Sequence, residues 1–329
     1  MNKAYKKPFW QTTGLIVILA VVAAGVIALR TPAIQDVLAG MGYEPEIGMA
    51  EIRDELELTS EGRRLFAATR PSLENKESFN THCTTNNKDV SLLGCYTGGR
   101  IYVYEITDEK LKMANKVTAA HEILHAAWER LSEGERVKVA GLLDELYEEK
   151  RAWFDEELEA YAETERTEEM WTRAGTKLGE LPEELEEYYA RYFNNRRKIV
   201  QWYDDYEAPF LELKLELEQL AAEIERVRQE IEAERTSYLG AVAALDARIE
   251  RFNICAEQAG CFTSQSAFEG QRSELLAEKE ILDGVREKLN EKITKNNERI
   301  EDYQTRQMVL GELNDAMDSR MKEMEVLGE

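Results

Sequence analysis

Residues 113–131 read MANKVTAAHEILHAAWERL, and the rest of the chain is read outward from them. Val117, Ala120, Leu124 and Ala127 recur at helical spacing, so the stretch forms a helix with an apolar, small-residue face that packs in a core. Within it lies His121-Glu122-Ile123-Leu124-His125. Residues i and i+4 of an α-helix share one face, so both imidazoles can reach one metal ion. Zinc favours nitrogen ligands in tetrahedral geometry and, in reactive centres, keeps one position open for water. Glu122 adjoins the first histidine, within reach of a proton on that water. The chain has only 3 His, and two of them fall here. The plainer alternative is a helix carrying two incidental histidines.

The five residues fit the HExxH pattern, and the segment resembles the active-site helix of the zincin metallopeptidases. The metzincin branch extends the motif to HExxHxxGxxH. Trp128 and Leu131 stand at the glycine and third-histidine positions, which excludes that branch. No histidine follows His125, so a third protein ligand must be a carboxylate, and the chain is similar to the gluzincins. Glu169-Met170-Trp171 opens a helical stretch after Thr167 and looks like the glutamate-bearing helix of that group. Glu163 and Glu159 remain alternatives. The resemblance implies that His121, His125 and Glu169 hold Zn2+. It further implies that Glu122 is the general base and that the reaction is hydrolysis of a protein or peptide substrate.

Upstream, Arg100–Ile106 (RIYVYEI) is the clearest strand, with Ile101, Val103 and Glu105 on one face and Tyr102, Tyr104 and Ile106 on the other. Zincins place an edge strand just before the active-site helix, and substrate backbone adds to it. The resemblance therefore makes residues 95–106 the upper wall of a cleft; a small structural hairpin is the alternative. Residues 72–99 read as loop. They contain Cys83 and Cys95, expected to form a disulfide, with a second metal site using His82, Cys83 and Cys95 as the alternative. Helices are expected within 49–69, broken near residues 59–62 and stopped before Pro71. Pro8–Leu29 carries no charge and follows Lys3, Lys6 and Lys7. About 20 apolar residues cross a bilayer, and flanking basic residues stay cytoplasmic. The expectation is an uncleaved signal-anchor over residues 1–30, with a cleaved signal peptide as the alternative. Residues 31–48, with Pro32, Gly40, Gly42 and Pro45, read as a juxtamembrane linker.

Downstream, Thr107 or Asp108 is placed to cap the motif helix, and Ser132-x-x-Glu135 is a capping box. The helix it starts is expected to continue to about Tyr161. Gly175-Thr176 and Gly179 read as breaks, and Leu181-Pro182 restarts a helix with an aromatic face reaching Tyr203. A Tyr or Arg of that helix is the expected stabiliser of a developing oxyanion. From Leu213, heptad spacing runs through Leu217, Leu220, Ile224, Val227 and Ile231. Residues 255–265 form a tip with a Cys255–Cys261 bridge, and a second apolar arm follows. At 1.5 Å per residue each arm spans roughly 70–90 Å. Matched arms and a short stapled turn predict an intramolecular antiparallel hairpin; a parallel dimer through the first arm is the alternative.

The fold class expected is mainly α: a transmembrane helix, a small α+β zincin-like head over 49–206, and a coiled-coil hairpin over 207–329. The net charge of −23, from 42 basic and 65 acidic residues, argues against a nucleic-acid partner. The expected setting is the cell membrane with the bulk of the chain extracytoplasmic. The expected partners are the membrane, a protein or peptide substrate, and a protein docked on the coiled coil. A non-catalytic, membrane-tethered coiled-coil interaction protein is the second reading, and metal binding without proteolysis the third.

Overall fold

The computed structural model describes residues 31–84 and 91–321. The uncharged stretch Pro8–Leu29 lies outside them, and among the described residues no helix is long and apolar enough to cross a membrane. The described chain is mainly helical, with eleven helices and one three-stranded sheet. It divides into two compact units. One runs to Ala208 and takes back the chain from Leu313 onward; the other is Pro209–Glu312.

The first unit opens with a helix, α1 (Pro32–Gly40), where a linker was expected. Proline and glycine misled here. Pro32 sits at the first turn, where a missing N–H costs nothing. Gly40 is a packing residue: a Cβ there would stand 2.9 Å from the Ala67 Cβ. Next come α2 (Ile47–Glu55) and α3 (Ser60–Thr69). Thr59 caps α3 by accepting a hydrogen bond from Gly62 N at 3.0 Å. The helix stops at Arg70, whose φ of 44° is left-handed, directly before Pro71.

The sheet holds β1 (Ser72–Glu74), β2 (Gly94–Thr97) and β3 (Arg100–Tyr104), in the order β1-β3-β2. β1 runs parallel to β3 and β2 antiparallel to it, with Cys95 opposite Tyr102. Gly98 and Gly99, at φ 58° and 75°, make the two-residue turn between β2 and β3, a conformation glycine adopts freely. β3 is thus the central strand, and β1 and β2 are the edges. The reason is burial: Ile101 and Val103 are inaccessible on one face, and Tyr102 is buried on the other with Phe79 and Cys83. A strand apolar on both faces sits inside a sheet.

Cys83, just after α4 (Lys76–His82), forms a disulfide with Cys95. Both thiols are consumed, so the second metal site does not form, and the His82 ring stacks on Tyr102 with centroids 4.1 Å apart. Replacing both cysteines by serine is expected to cost about 3 kcal/mol, the unfolded-state entropy of closing a loop of this size. Denaturant unfolding of the wild type with and without the double variant checks this; equal midpoints would show that the bond adds nothing.

The remaining helices are α5 (Met113–Arg130), α6 (Glu133–Glu149), α7 (Arg151–Glu157), α8 (Arg166–Lys177), α9 (Glu183–Tyr189), α10 (Arg196–Glu257) and α11 (Gln265–Met317). The Ser132/Glu135 capping box is present. Asp108 caps a turn rather than α5, accepting from Lys110 N at 2.8 Å. Asn115 instead anchors the start of α5, pairing its side-chain amide with both Ile106 N and Ile106 O. The helix expected to reach Tyr161 breaks at Lys150. The helix expected through Tyr203 breaks after Tyr189, because Phe193 bridges to Leu58 and Asn194 N donates to Glu57 O. The chain past α11, expected to belong with residues 207–329, packs in the first unit instead. Ser319 N donates to Ser91 Oγ at 3.0 Å, and Asn80 Nδ2 donates to Ser319 O at 2.7 Å.

In the second unit, charged pairs join α10 to α11. Glu216 pairs with Arg306, Glu223 with Arg299, Glu230 with Lys292, and Arg248 with Glu278. Residue numbers rise on α10 as they fall on α11. Leu217, Val227, Leu245 and Leu289 are buried in this unit. Cys255 and Cys261 are disulfide-bonded. Beside that bond Phe252, Phe262 and Phe268 form a ring cluster with centroids 5.1–5.4 Å apart.

Candidate metal centre

The centre is built by laying α8 on α5. Their close approach rests on Gly175, which lies inside α8 instead of ending it. A Cβ there would come within 2.5 Å of Leu124 Cδ1 and 2.6 Å of the Tyr189 ring. Trp171 locks the pair: its Nε1 donates to Leu124 O at 3.0 Å, and its ring stacks on Tyr189 at 4.2 Å. The Tyr189 hydroxyl donates to Trp171 O at 2.7 Å. All of Trp171's polar capacity at the interface is thus met while its rings fill the core. With Trp171 fixed, Glu169 in the first turn of α8 is aimed at the two histidines of α5.

His121 Nε2 and His125 Nε2 are 3.3 Å apart. Glu169 Oε1 lies 3.4 Å from His125 Nε2, and Oε2 lies 3.8 Å from His121 Nε2. Zinc with nitrogen and oxygen ligands at about 2.0–2.2 Å in a tetrahedron sets neighbouring donors roughly 3.3–3.6 Å apart. The three residues fit the metal in donor type; the two separations at His125 Nε2 fall in this range, and the Glu169–His121 separation of 3.8 Å lies slightly beyond it. Among the described residues they are the one group of three such side chains that can hold an ion. Glu159 and Glu163, the alternatives to Glu169, are exposed and outside it.

Reading the sequence missed Glu168. Its Oε1 lies 2.7 Å from His125 Nδ1. Such a contact places the proton on Nδ1, leaves the Nε2 lone pair for a metal, and fixes the ring plane. No signal singled it out from the neighbouring acids, because a carboxylate's partner is set by how α8 is rotated. Replacing Glu168 by glutamine should weaken zinc binding about 10–100-fold with the fold intact. Competition with a chromophoric chelator measures this, and an unchanged affinity would remove Glu168 from the site.

The electrostatics follow from burial. Glu122 is 5% exposed. Burial pushes its carboxyl up to about 7, with the Glu169 and Glu168 charges adding and His125 opposing. For His125, burial disfavours the cation, but hydrogen bonds to Glu168 and Glu169 outweigh it and push the imidazole up to about 10. His121 is held well below its usual value, first by burial and then by the His125 charge.

The motif faces a cleft of about 570 Å3 bordered by Leu92, Gly94, His121, Glu122, Tyr161 and Arg173, among others. The edge strand β2 passes directly over Glu122: a Cβ on Gly94 would come 2.7 Å from Glu122 Oε1. Arg173 lies one turn after Glu169. Its Nε is 3.4 Å from Glu169 Oε2, its Nη2 donates to the Tyr161 hydroxyl at 2.9 Å, and it pairs with Glu157. Both residues border the cleft, whereas no residue of the aromatic stretch 182–203 lines it. Tyr189 is committed to Trp171, and Arg196 to Glu186 and the carbonyls of Leu178 and Gly179.

Comparison with family models, with curated proteins and with solved structures gives no match for this chain.

Proposed function

We propose that this chain is a zinc-dependent peptidase of the zincin type, facing the outside of a membrane to which residues 1–30 anchor it. The observation that carries this reading is the convergence of two imidazole nitrogens 3.3 Å apart and the Glu169 carboxylate, with oxygens 3.4 and 3.8 Å from them, within the reach of one ion. His121 and His125 would hold zinc through Nε2 and Glu169 through its carboxylate, with Glu168 orienting His125. When bound, zinc supplies Lewis-acid polarisation of a carbonyl and lowers the pKa of a water.

The protein's own groups do the rest. Glu122 accepts the proton of the attacking water and passes it to the leaving amine. Tyr161 and Arg173 border the cleft, and the Tyr161 hydroxyl, held by Arg173 Nη2, would donate to a carbonyl oxygen that gains charge. The outer edge of β2 takes an extended substrate backbone by strand addition.

The long helices form the remainder of the proposal. The oppositely running charge pairs between α10 and α11 support an antiparallel coiled-coil hairpin, a surface suited to a protein partner. Metal analysis of the purified chain tests the central reading, together with cleavage of a peptide library before and after chelation. One zinc per chain, and cleavage that stops on chelation and returns with zinc, are expected. Absence of zinc even after reconstitution would favour the second reading, a tethered coiled-coil interaction protein.

A further inference from the structure

One wall of the cleft is made by Ser91, Leu92, Leu93 and Gly94. Gly94 is seated hard on α5: a Cβ there would come 2.6 Å from Thr118 Cγ2 and 2.7 Å from Glu122 Oε1. The strand beyond it is pinned twice, by its pairing with β3 and by the Cys83–Cys95 disulfide. The run that leads into it lies outside the ladder. Tyr104 N reaches back to Leu93 O at 2.8 Å, and the strand itself starts at Gly94.

Ser91 and Leu92 are held from the far end of the chain. Ser319 is 2% exposed, and each of its polar groups is used. Its N–H donates to Ser91 Oγ at 3.0 Å, its hydroxyl donates to Leu92 O at 2.5 Å, and its carbonyl accepts from Asn80 Nδ2 at 2.7 Å. Ser91 Oγ in turn donates to Met317 O at 3.2 Å. Asn80 belongs to α4 and is itself anchored on Lys76 O at 2.7 Å. Arg320 N and Nε close a turn on Asp318 Oδ1, at 3.0 and 2.7 Å, which fixes the backbone on either side of Ser319. Serine has little apolar surface to bury, so its hydrogen bonds and not its packing account for its place here. Leu92 meanwhile packs against Phe79, Cys83 and Tyr102. Ser319 thus bridges α4 to the wall of the cleft.

We propose that Ser319 is a positioning residue of the cleft: it straps the Ser91–Leu92 backbone so that the outer edge of β2 is presented to an extended peptide beside Glu122. The proposal rests on the peptidase reading of the metal centre. Ser319 does not itself line the cleft, so it acts on substrate binding through the wall and not on the chemical step. Contacts that a substrate makes equally before and in the transition state lower KM without changing kcat. Loosening the strap should therefore raise KM alone.

The test uses the full chain in a neutral detergent. Ser319→Ala removes the bond to Leu92 O, and Asn80→Ala removes the anchor on Ser319 O from outside the cleft. Hydrogen–deuterium exchange is read beside cleavage of one fluorogenic peptide selected from the library. Exchange over residues 91–94 is expected to quicken about three- to tenfold in each variant, the effect of one lost hydrogen bond, while peptides from α5 exchange as in wild type. KM is expected to rise about three- to tenfold as well, with kcat and zinc content unchanged. Unchanged exchange over 91–94 in both variants would overturn the strap. A lower melting temperature with KM unchanged, or a fall in kcat alone, would overturn the positioning role. A wild-type chain without zinc or cleavage would be the failure of the peptidase reading, and exchange would still decide whether Ser319 holds the wall.

Discussion

Replacing His125 by alanine is expected to strip the chain of zinc. Zinc in small protein sites is bound by roughly 10–16 kcal/mol. Divided over its ligands, each carries roughly 3–4 kcal/mol, or an affinity loss of about 10²–10³-fold when one is removed. His125 should stand at the upper end, because it also meets Glu168 at 2.7 Å and Glu169 at 3.4 Å. Removing the imidazole leaves two acidic groups crowded at the start of α8, with Glu169 only 7% exposed. Breaking a buried charge arrangement on one side is destabilising, so the variant should also melt at a lower temperature. His125→Gln keeps a polar side chain there and separates the two effects: it should lose zinc and keep most of the stability. His82→Ala is the matching control, since His82 stacks on Tyr102 outside the centre. Zinc content equal to wild type in His125→Ala would refute the assigned ligand set.

Glu122→Gln should leave zinc bound and reduce peptide cleavage by about 10²–10⁴-fold, the range for loss of a general base. The substitution keeps the shape of the side chain under β2, where Gly94 leaves no spare room. It also removes a carboxyl that burial already holds up near 7, so folding stability should be unchanged or slightly higher. The diagnostic pattern is a fall in kcat with zinc stoichiometry and melting temperature preserved. Cleavage at the wild-type rate would show that proton transfer does not pass through Glu122. Loss of zinc along with activity would instead mean that Glu122 supports the metal rather than the reaction.

Local chemistry made much of this protein legible. The i, i+4 histidines, the Ser132/Glu135 capping box and the strand character of residues 100–104 are all set by neighbours a few residues away. The approach of Glu169 to the two histidines was expected only through the resemblance, because nothing local distinguishes it from Glu163 or Glu159. Glycine and proline were the unreliable signs. Gly40 and Gly175 read as interruptions, yet both sit in helices at close approaches to another helix. Pro32 read as linker, yet it starts a helix. Each of these residues has two uses, breaking a helix or fitting inside a packed one, and only the neighbouring element shows which applies.

The sequence by itself determined the shared face of His121 and His125 on helix α5, with Glu122 beside it, a consequence of the 3.6-residue period. It determined equally the periodicity of α10 and α11, and the cysteines available for bridging. Tertiary structure alone decided which edge of the sheet borders the cleft, since β3 is buried on both faces and β2 is left outside. It also decided the rotation of α8 on α5, through Gly175, Trp171 and Tyr189. That rotation aims Glu169 at the histidines, puts Glu168 behind His125 and turns Arg173 into the cleft. Side chains on separate helices meet only when the core between them is packed, and no periodicity along the chain encodes that meeting.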